Sequence, residues 1–355
     1  MQGFGLKKAS NQNNFQQIKT TTYGTMKTVL SGIRPTGHLH LGNYYGALVN
    51  FLKMQEEYNC FFFIADWHSL TTHPDPAALH ENTKNVLAEY LACGLDPNKS
   101  TLYIQSDVPE IAELYLLLNM QAYLGELEKT VSFKDKARKQ PENVNAGLLT
   151  YPVLQAADIL IHNPDYVPVG KDQEQHLEMT RNFAKRFNNK YGVEYFKLPQ
   201  AFDTKREMIK IPGLDGSGKM GKSEGNCIYL IDEPKAIEKK VKKALTDEGP
   251  TGVNTQKPDY IENLFTLMKV VSTPDTVAFF DDLWNRGETK WYGNMKKQLA
   301  EDIIQMTSPI RERIEEIKRD DAYLHKVTRE GAEKARESTA KTLREVREIM
   351  GFKAF

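Results

Sequence analysis

Cysteine is scarce in this chain, charge of neither sign predominates, and no long apolar run interrupts it. Three cysteines in 355 residues, Cys60, Cys93 and Cys227, stand far apart without Cys-x-x-Cys or Cys/His spacing. Neither a disulfide framework nor a structural metal is expected, and a reducing compartment follows. Lysine plus arginine equals aspartate plus glutamate at 47 each, a formal net charge of zero. No overall field therefore draws the chain to nucleic acid, and any polyanion site must be a local patch. No apolar stretch approaches the roughly 20 residues that cross a bilayer, so a soluble protein is expected. What is present, 40% hydrophobic and 26% charged residues, suits one large or two moderate globular domains.

Residues 1–25 carry Lys7, Lys8 and Lys19 but no acid, and are rich in Asn, Gln and Thr without an apolar period. A disordered extension is expected there. An organellar leader is the alternative, since acid-poor basic segments direct such import, although arginine is missing.

From Lys27 short apolar strands alternate with amphipathic helices. Thr28 to Ile33 reads as a strand, Leu41 to about Tyr58 as a helix, and Cys60 to Ala65 as a strand buried on both faces. A helix around Pro76 to Cys93 leads to a third strand, Thr101 to Gln105. That order predicts an α/β fold with a doubly wound parallel sheet. Residues 110–157 read as a mostly helical insertion, interrupted by a polar loop from Lys134 to Asn145. Tyr166 to Val169 and Met208 to Ile211 read as short strands flanking a long helix, Gln173 to Tyr191. Residues 233–355 read as a helical domain, with Ile261, Leu264, Phe265 and Met268 on one face. No internal repeat is visible.

Two segments carry chemistry. The first, Ser31-Gly32-Ile33-Arg34-Pro35-Thr36-Gly37-His38-Leu39-His40-Leu41-Gly42-Asn43, joins the first strand to the first helix. There an open α/β sheet binds ligands, with backbone N–H groups and the helix dipole facing a phosphate. Gly42 would let a flat base or ribose lie against the helix end, while His40 and Asn43 would point towards phosphate oxygens. A turn with capping polar residues is the plainer reading. In the second segment, Gly216 to Ser223 matches G-x-x-x-x-G-K-[ST], the phosphate loop of nucleoside triphosphatases. That motif needs a strand running into it and a helix starting at its lysine. Pro212, Gly213, Gly225 and the β-like Cys227 to Ile231 argue against both. A mobile loop whose Lys219 and Lys222 close over a triphosphate is the better reading.

Together the two segments carry a resemblance. His40-Leu41-Gly42-Asn43 and Lys219-Met220-Gly221-Lys222-Ser223 are similar to the HIGH and KMSKS signatures of class I aminoacyl-tRNA synthetases. Between and beyond them, several segments resemble tryptophanyl-tRNA synthetases. These are Ser31 to Thr36, Gly125 to Glu128, Ala146 to Pro152, Ala156 to Leu160, Val167 to Gly170 and Gly331 to Ala335. The likeness covers about residues 27–355. Three positions depart from the usual pattern: Gly221 replaces serine in the KMSKS motif, Lys171 stands where an acid usually precedes Asp172, and Arg34 stands where glutamine is common. Glycine at 221 should loosen the loop, because it loses more backbone entropy on ordering.

The resemblance implies a Rossmann-like catalytic domain over 26–232 and a helical, anticodon-binding domain over 233–355. It also implies two steps. The amino acid carboxylate attacks the α-phosphate of ATP, and the terminal ribose hydroxyl of tRNA then takes the acyl group. Such displacements need positioning and charge neutralisation. Lys219, Lys222 and Lys136 would hold pyrophosphate oxygens alongside Mg²⁺, with Met220, Gly221 and Ser223 completing their loop. His40 and Asn43 would hold phosphates, Gly42 the adenosine, and Gly170, Lys171 and Asp172 the ribose. Arg34, Pro35 and Thr36 would line the ATP site, and the main chain near Lys210 and Ile211 would face adenine. Tyr151, Gln155, Asp158, Gln173 and His68 would form the side-chain pocket. Positions 151, 155 and 158 share one helix face. A buried Asp158 without a partner would be costly, so a ligand donor such as an indole N–H is expected for it. The plainer alternatives are a solvated lysine at 136, a capping or salt-bridged Asp158 and a satisfied core His68.

The implied partners are L-tryptophan, ATP and tRNA(Trp), in a cytoplasmic homodimer with no role for DNA or a membrane. A tyrosyl-tRNA synthetase is the nearest rival, since Tyr151, Gln155 and Asp158 also carry that family's Tyr-x-x-x-Gln-x-x-Asp spacing. A phosphate-loop triphosphatase and a non-catalytic RNA-binding relative are the others.

Overall fold

The computed structural model describes residues 26–170, 173–202 and 210–352. The amino-terminal extension, Lys171, Asp172 and the start of the strand expected from Met208 lie outside those residues. Lys210 and Ile211 are described and lie in no strand.

Five strands form one parallel sheet: β1 (Thr28–Ile33), β2 (Asn59–Ile64), β3 (Ser100–Ile104), β4 (Tyr166–Val167) and β5 (Gln200–Ala201). Their spatial order is β3-β2-β1-β4-β5, the doubly wound α/β arrangement. Neighbouring side chains on a strand face opposite ways, and the core divides accordingly. Val29, Cys60, Phe62, Ile64 and Leu102 are buried on one face, and Leu30, Phe61, Phe63 and Tyr103 on the other. A strand buried on both faces reads as a continuous apolar run, as β2 does.

Among the described residues, α1 (Leu41–Asn43) passes through a π-helical turn at Tyr44–Leu48 into α2 (Val49–Glu57). The helices α3 (Asp66–Ser69), α4 (Pro76–Ala92), α5 (Glu110–Asn119), α6 (Leu124–Glu128), α7 (Val131–Lys139), α8 (Ala146–Leu160) and α9 (Glu174–Tyr191) follow. α4 begins where the Asp75 carboxylate accepts the Ala78 amide at 3.0 Å with Pro76 in its first turn, and α8 where Asn145 accepts the Leu148 amide at 2.9 Å. The loop expected from Lys134 to Asn145 is instead half helix. α7 runs to Lys139 and a 3₁₀ turn spans Pro141–Asn143. Lys134, Asp135, Arg138 and Lys139 face solvent on an amphipathic helix capped by Thr130, and polar composition alone does not separate that from a loop. The β-like stretch Cys227 to Ile231 supplies only an isolated bridge between Tyr229 and His40.

The remainder is helical: α10 (Pro234–Lys242), α11 (Asp259–Val271), α12 (Pro274–Asn285), α13 (Tyr292–Arg319) and α14 (Asp321–Met350). Ile261, Leu264, Phe265 and Met268 of α11 and Leu299 and Ile303 of α13 join the core on the α4 side of the sheet. The long helix α14 crosses to the other face, where Ala332, Ala335, Leu343 and Val346 are buried with Phe61 and Tyr103. It lies so close to β3 that a Cβ on Gly331 would stand 1.6 Å from the Leu102 carbonyl oxygen, a backbone atom that cannot move aside. Gly331→Ala is therefore expected to cost about 2–3 kcal/mol by overpacking, read as a lower urea midpoint. An unchanged midpoint would mean that α14 does not rest on β3.

Candidate active site

The strand order turns at β1, with β2 and β3 on one side and β4 and β5 on the other. A sheet of this kind opens a crevice at the carboxyl ends of the strands there, where the following loops diverge. A cavity of about 320 Å³ lies at that point, walled by Ser31 to Arg34 at the carboxyl end of β1, Val167 to Val169 at the carboxyl end of β4, and side chains from α7, α8 and the start of α9. Tyr151, Gln155, Asp158, Gln173, His68, Lys136 and Arg34 all line it.

Asp158, almost fully buried on α8, forms the floor. Its Oδ2 lies 2.7 Å from His68 Nε2, and its Oδ1 accepts Gln105 Nε2 at 2.6 Å. Burial pushes its carboxyl pKa up while these two partners pull it down. The orphan acceptor that the sequence suggests at Asp158 is thus already paired within the protein, and a ligand donor would use a remaining lone pair. Among the cavity-lining residues, a buried acceptor that does lack a partner is Gln155 Oε1, about one helical turn away. His68 Nδ1 also has none. Tyr151 packs its ring against the His68 imidazole, and Lys136 Nζ lies 3.7 Å from the Tyr151 ring centroid. Gln173 Oε1 and Ser132 Oγ flank His176 at 2.9 and 2.7 Å.

The second half of the site is the turn into α1 with the glycine-rich loop over it. His40 donates its backbone N–H to Asn43 Oδ1 at 3.1 Å, so the side-chain oxygen of Asn43, a residue expected to point towards phosphate, caps the start of α1. The His40 ring lies over Gly42, where a Cβ would meet it at 2.8 Å. The close approach that requires glycine is therefore made by this imidazole. Burial, then the charges of Lys222 and Lys219, hold the His40 pKa down to about 4, so the ring is neutral at pH 7. Lys222 Nζ donates to the Gly37 carbonyl at 2.9 Å, which brings the loop lysine onto the turn. The backbones join too: the Leu41 amide donates to Ile228 O at 3.0 Å and the Leu230 amide to Leu39 O at 2.9 Å. Arg34 sits between the halves. Burial first, and then its guanidinium, lower the pKa of Lys136 to about 8, and the guanidinium also disfavours the ammonium of Lys222.

Lys219 is exposed, Met220 is buried with its amide donating to the Ile211 carbonyl at 2.8 Å, and Ser223 is exposed. Pro35 is buried, and Thr36 donates its amide to Arg34 O at 2.9 Å. Gly170 O accepts the Gln173 amide at the same distance. Gly221 is extended, with its amide donating to Asn226 Oδ1 at 2.8 Å, and a Cβ there would come no closer than 3.4 Å, to the flexible Glu224 side chain. Gly221→Ser is accordingly expected to change kcat by a few-fold at most, since glycine costs about 0.5–1 kcal/mol of backbone entropy. Loss of all activity would mean that a phosphate needs the bare backbone here. Among the described residues no strand runs into Gly216 to Ser223, and only a 3₁₀ turn, Lys222–Glu224, follows its first lysine. The phosphate-loop resemblance is therefore accidental.

Three supporting residues carry no sequence signal of their own. Gln105 stands at the carboxyl end of β3, where a polar residue closing an apolar strand is the only hint. Asn226 ties the loop together, its Nδ2 reaching Asp215 Oδ1 at 3.0 Å and Ser217 Oγ at 2.9 Å. Glu89 is buried beneath the turn.

The sequence model of class I tRNA synthetases (W and Y) matches residues 24–308. A tryptophan–tRNA ligase of Porphyromonas gingivalis is 63% identical over 328 residues, covering 92% of this chain and all of the relative. One from Clostridium tetani is 42% identical over 330 residues, covering 92% and 96%. The crystal structure of tryptophanyl-tRNA synthetase from Campylobacter jejuni complexed with ADP and tryptophan superposes with a TM-score of 0.81 at 34% identity, covering 91% of this chain and 99% of that one. A tyrosyl-tRNA synthetase from Archaeoglobus fulgidus, at 20% identity and a TM-score of 0.61, shares the fold. A family model matched over residues 24–308 and relatives matched over nearly their whole length, on a fold that sets a paired carboxylate in its cavity and a loop lysine on the turn before α1, place this chain in the class I tryptophanyl-tRNA synthetase family.

Proposed function

We propose that the cleft binds the indole of tryptophan over Asp158 and the triphosphate of ATP beneath the Lys219–Lys222 loop. The enzyme is an ATP-dependent tryptophan–tRNA ligase. The observation that carries the residue-level reading is the junction of the two halves: one cavity wall runs from Asp158 through Tyr151, Lys136 and Arg34 to the turn on which Lys222 rests.

Tryptophan's carboxylate is already an anion at neutral pH, so the first step needs no protein base. The α-phosphorus bonds to that carboxylate oxygen while the bond to pyrophosphate breaks, and negative charge moves towards the leaving group. Fixed cations aimed at that charge act most strongly in the transition state. Lys222, Lys219 and Lys136 fill that role. His40, neutral, meets phosphate as a hydrogen-bond donor. Mg²⁺ would enter with ATP as the counter-ion of its phosphates, supplying further positive charge beside these lysines. In the second step the terminal ribose hydroxyl of tRNA takes the acyl group and AMP leaves.

Residues 26–232 form the catalytic domain in this reading, and 233–355 the helical domain that meets the anticodon of tRNA(Trp). A homodimer is supported by the exposed apolar residues Leu116, Met120, Tyr123, Leu124 and Val131 along α5 to α7, a patch that a second copy would cover. A cytoplasmic setting agrees with the bacterial relatives, and among the described residues no helix is long and apolar enough to cross a membrane. ATP–pyrophosphate exchange with each of the twenty amino acids tests the function: exchange should depend on tryptophan. Exchange with none would leave a non-catalytic RNA-binding relative.

A further inference from the structure

Glu89, on α4, is completely buried. A carboxylate in such a place is costly unless paired, and an apolar residue would serve packing as well. Both its oxygens are engaged, and both reach one short segment. Oε1 lies 2.6 Å from His38 Nδ1, and Oε2 accepts the Leu39 amide at 2.7 Å. Gly37, the preceding residue, offers its carbonyl to Lys222 Nζ. Residues 37–39 are therefore held by a buried carboxylate from α4 on one side and by the loop lysine on the other. His40 follows directly, so whatever fixes this segment also fixes the start of α1.

We propose that Glu89 is a positioning residue for adenylate formation, holding Gly37 to Leu39 so that the Lys222 ammonium is aimed into the triphosphate site. The inference rests on the reading of Lys222 as a pyrophosphate-holding lysine. Charge acts in the same direction as geometry. Burial favours the neutral amine of Lys222, while Glu89, and after it Cys227, favour the ammonium; Arg34 opposes them, and His40 faces the same lysine. Removing the charge of Glu89 while keeping its shape should therefore lower the pH at which Lys222 loses its proton.

The test compares wild type, Glu89→Gln, Lys222→Ala and the double variant in ATP–pyrophosphate exchange, with tryptophan binding followed by fluorescence. Glu89→Gln keeps an acceptor for the Leu39 amide. It should lower kcat about tenfold, within the range of coupling between interacting residues, and leave tryptophan affinity unchanged. The alkaline limb of kcat should move to lower pH, a change that a purely structural role would not produce. The double variant should be no slower than Lys222→Ala alone. Equal losses from Glu89→Gln in both backgrounds, or an unmoved alkaline limb, would overturn the inference. An unchanged rate in Lys222→Ala would instead sink the reading of the lysine. If Glu89→Gln does not fold, His38→Ala, at a partly exposed position, carries the same test: a few-fold loss of kcat absent from the Lys222→Ala background supports the proposal, and an additive loss contradicts it.

Discussion

Lys222→Ala is expected to lower kcat for adenylate formation by about 100-fold or more, with a smaller change in KM for ATP. The lysine is half-buried and donates to Gly37 O, so its ammonium is partly desolvated and held by the turn before α1. A cation prepared in that way gains most when charge shifts onto the departing pyrophosphate. A factor of 100 corresponds to about 2.7 kcal/mol of lost transition-state stabilisation. Stability should change little, since the deleted side chain makes one hydrogen bond to a carbonyl that water can reach at the site. Lys222→Arg should recover only part of the rate, because a planar fork does not replace a point charge at a fixed carbonyl. An unchanged kcat in Lys222→Ala would remove the loop from the active site.

The sheet and the two chemical segments were legible in the sequence for a simple reason: their signals are local. β1, β2 and β3 are short, largely apolar or β-branched stretches of five or six residues, each followed by a helical period. The turn before α1 and the lysine loop each hold their own pattern. β4 is legible within the apolar stretch Tyr166 to Val169, whereas β5, two exposed residues, is too short to show a period and leaves no signal. α7 was half hidden because its outward charges resemble those of a loop. The supporting groups were out of reach for another reason. Gln105 acts on Asp158 across 53 positions and Glu89 on Leu39 across 50, and no spacing rule joins residues so far apart. The sequence does not show a protein partner for Asp158 because both, His68 and Gln105, arrive from distant segments, α3 and the end of β3.

Asp158→Ala is expected to abolish most of the preference for tryptophan. The carboxylate is held in one orientation by His68 on one oxygen and Gln105 on the other, and it lines the cavity. A site built to pair a single donor rejects an analogue without one by roughly 10⁴ to 10⁵, because a buried acceptor is then left unpaired. Phenylalanine should accordingly be a very poor substrate for the wild type. Tyrosine does carry a donor, but at the far end of a longer and narrower ring, and its hydroxyl is expected to miss the Asp158 oxygens if the cavity takes an indole. Gln155 Oε1, unpaired on the next turn of α8, is the group that could meet that hydroxyl. In Asp158→Ala the tryptophan rate should fall while the tyrosine rate holds, so that the gap narrows. Circular dichroism should confirm that the variant keeps its fold, since His68 and Gln105 lose their partner together.

ATP–pyrophosphate exchange by the wild-type enzyme with tryptophan and with tyrosine tests tryptophan specificity most directly. The Asp158 pocket predicts that tryptophan exceeds tyrosine by at least about a hundredfold in kcat/KM, the order of discrimination that one misplaced polar contact supports. A preference for tyrosine would contradict it.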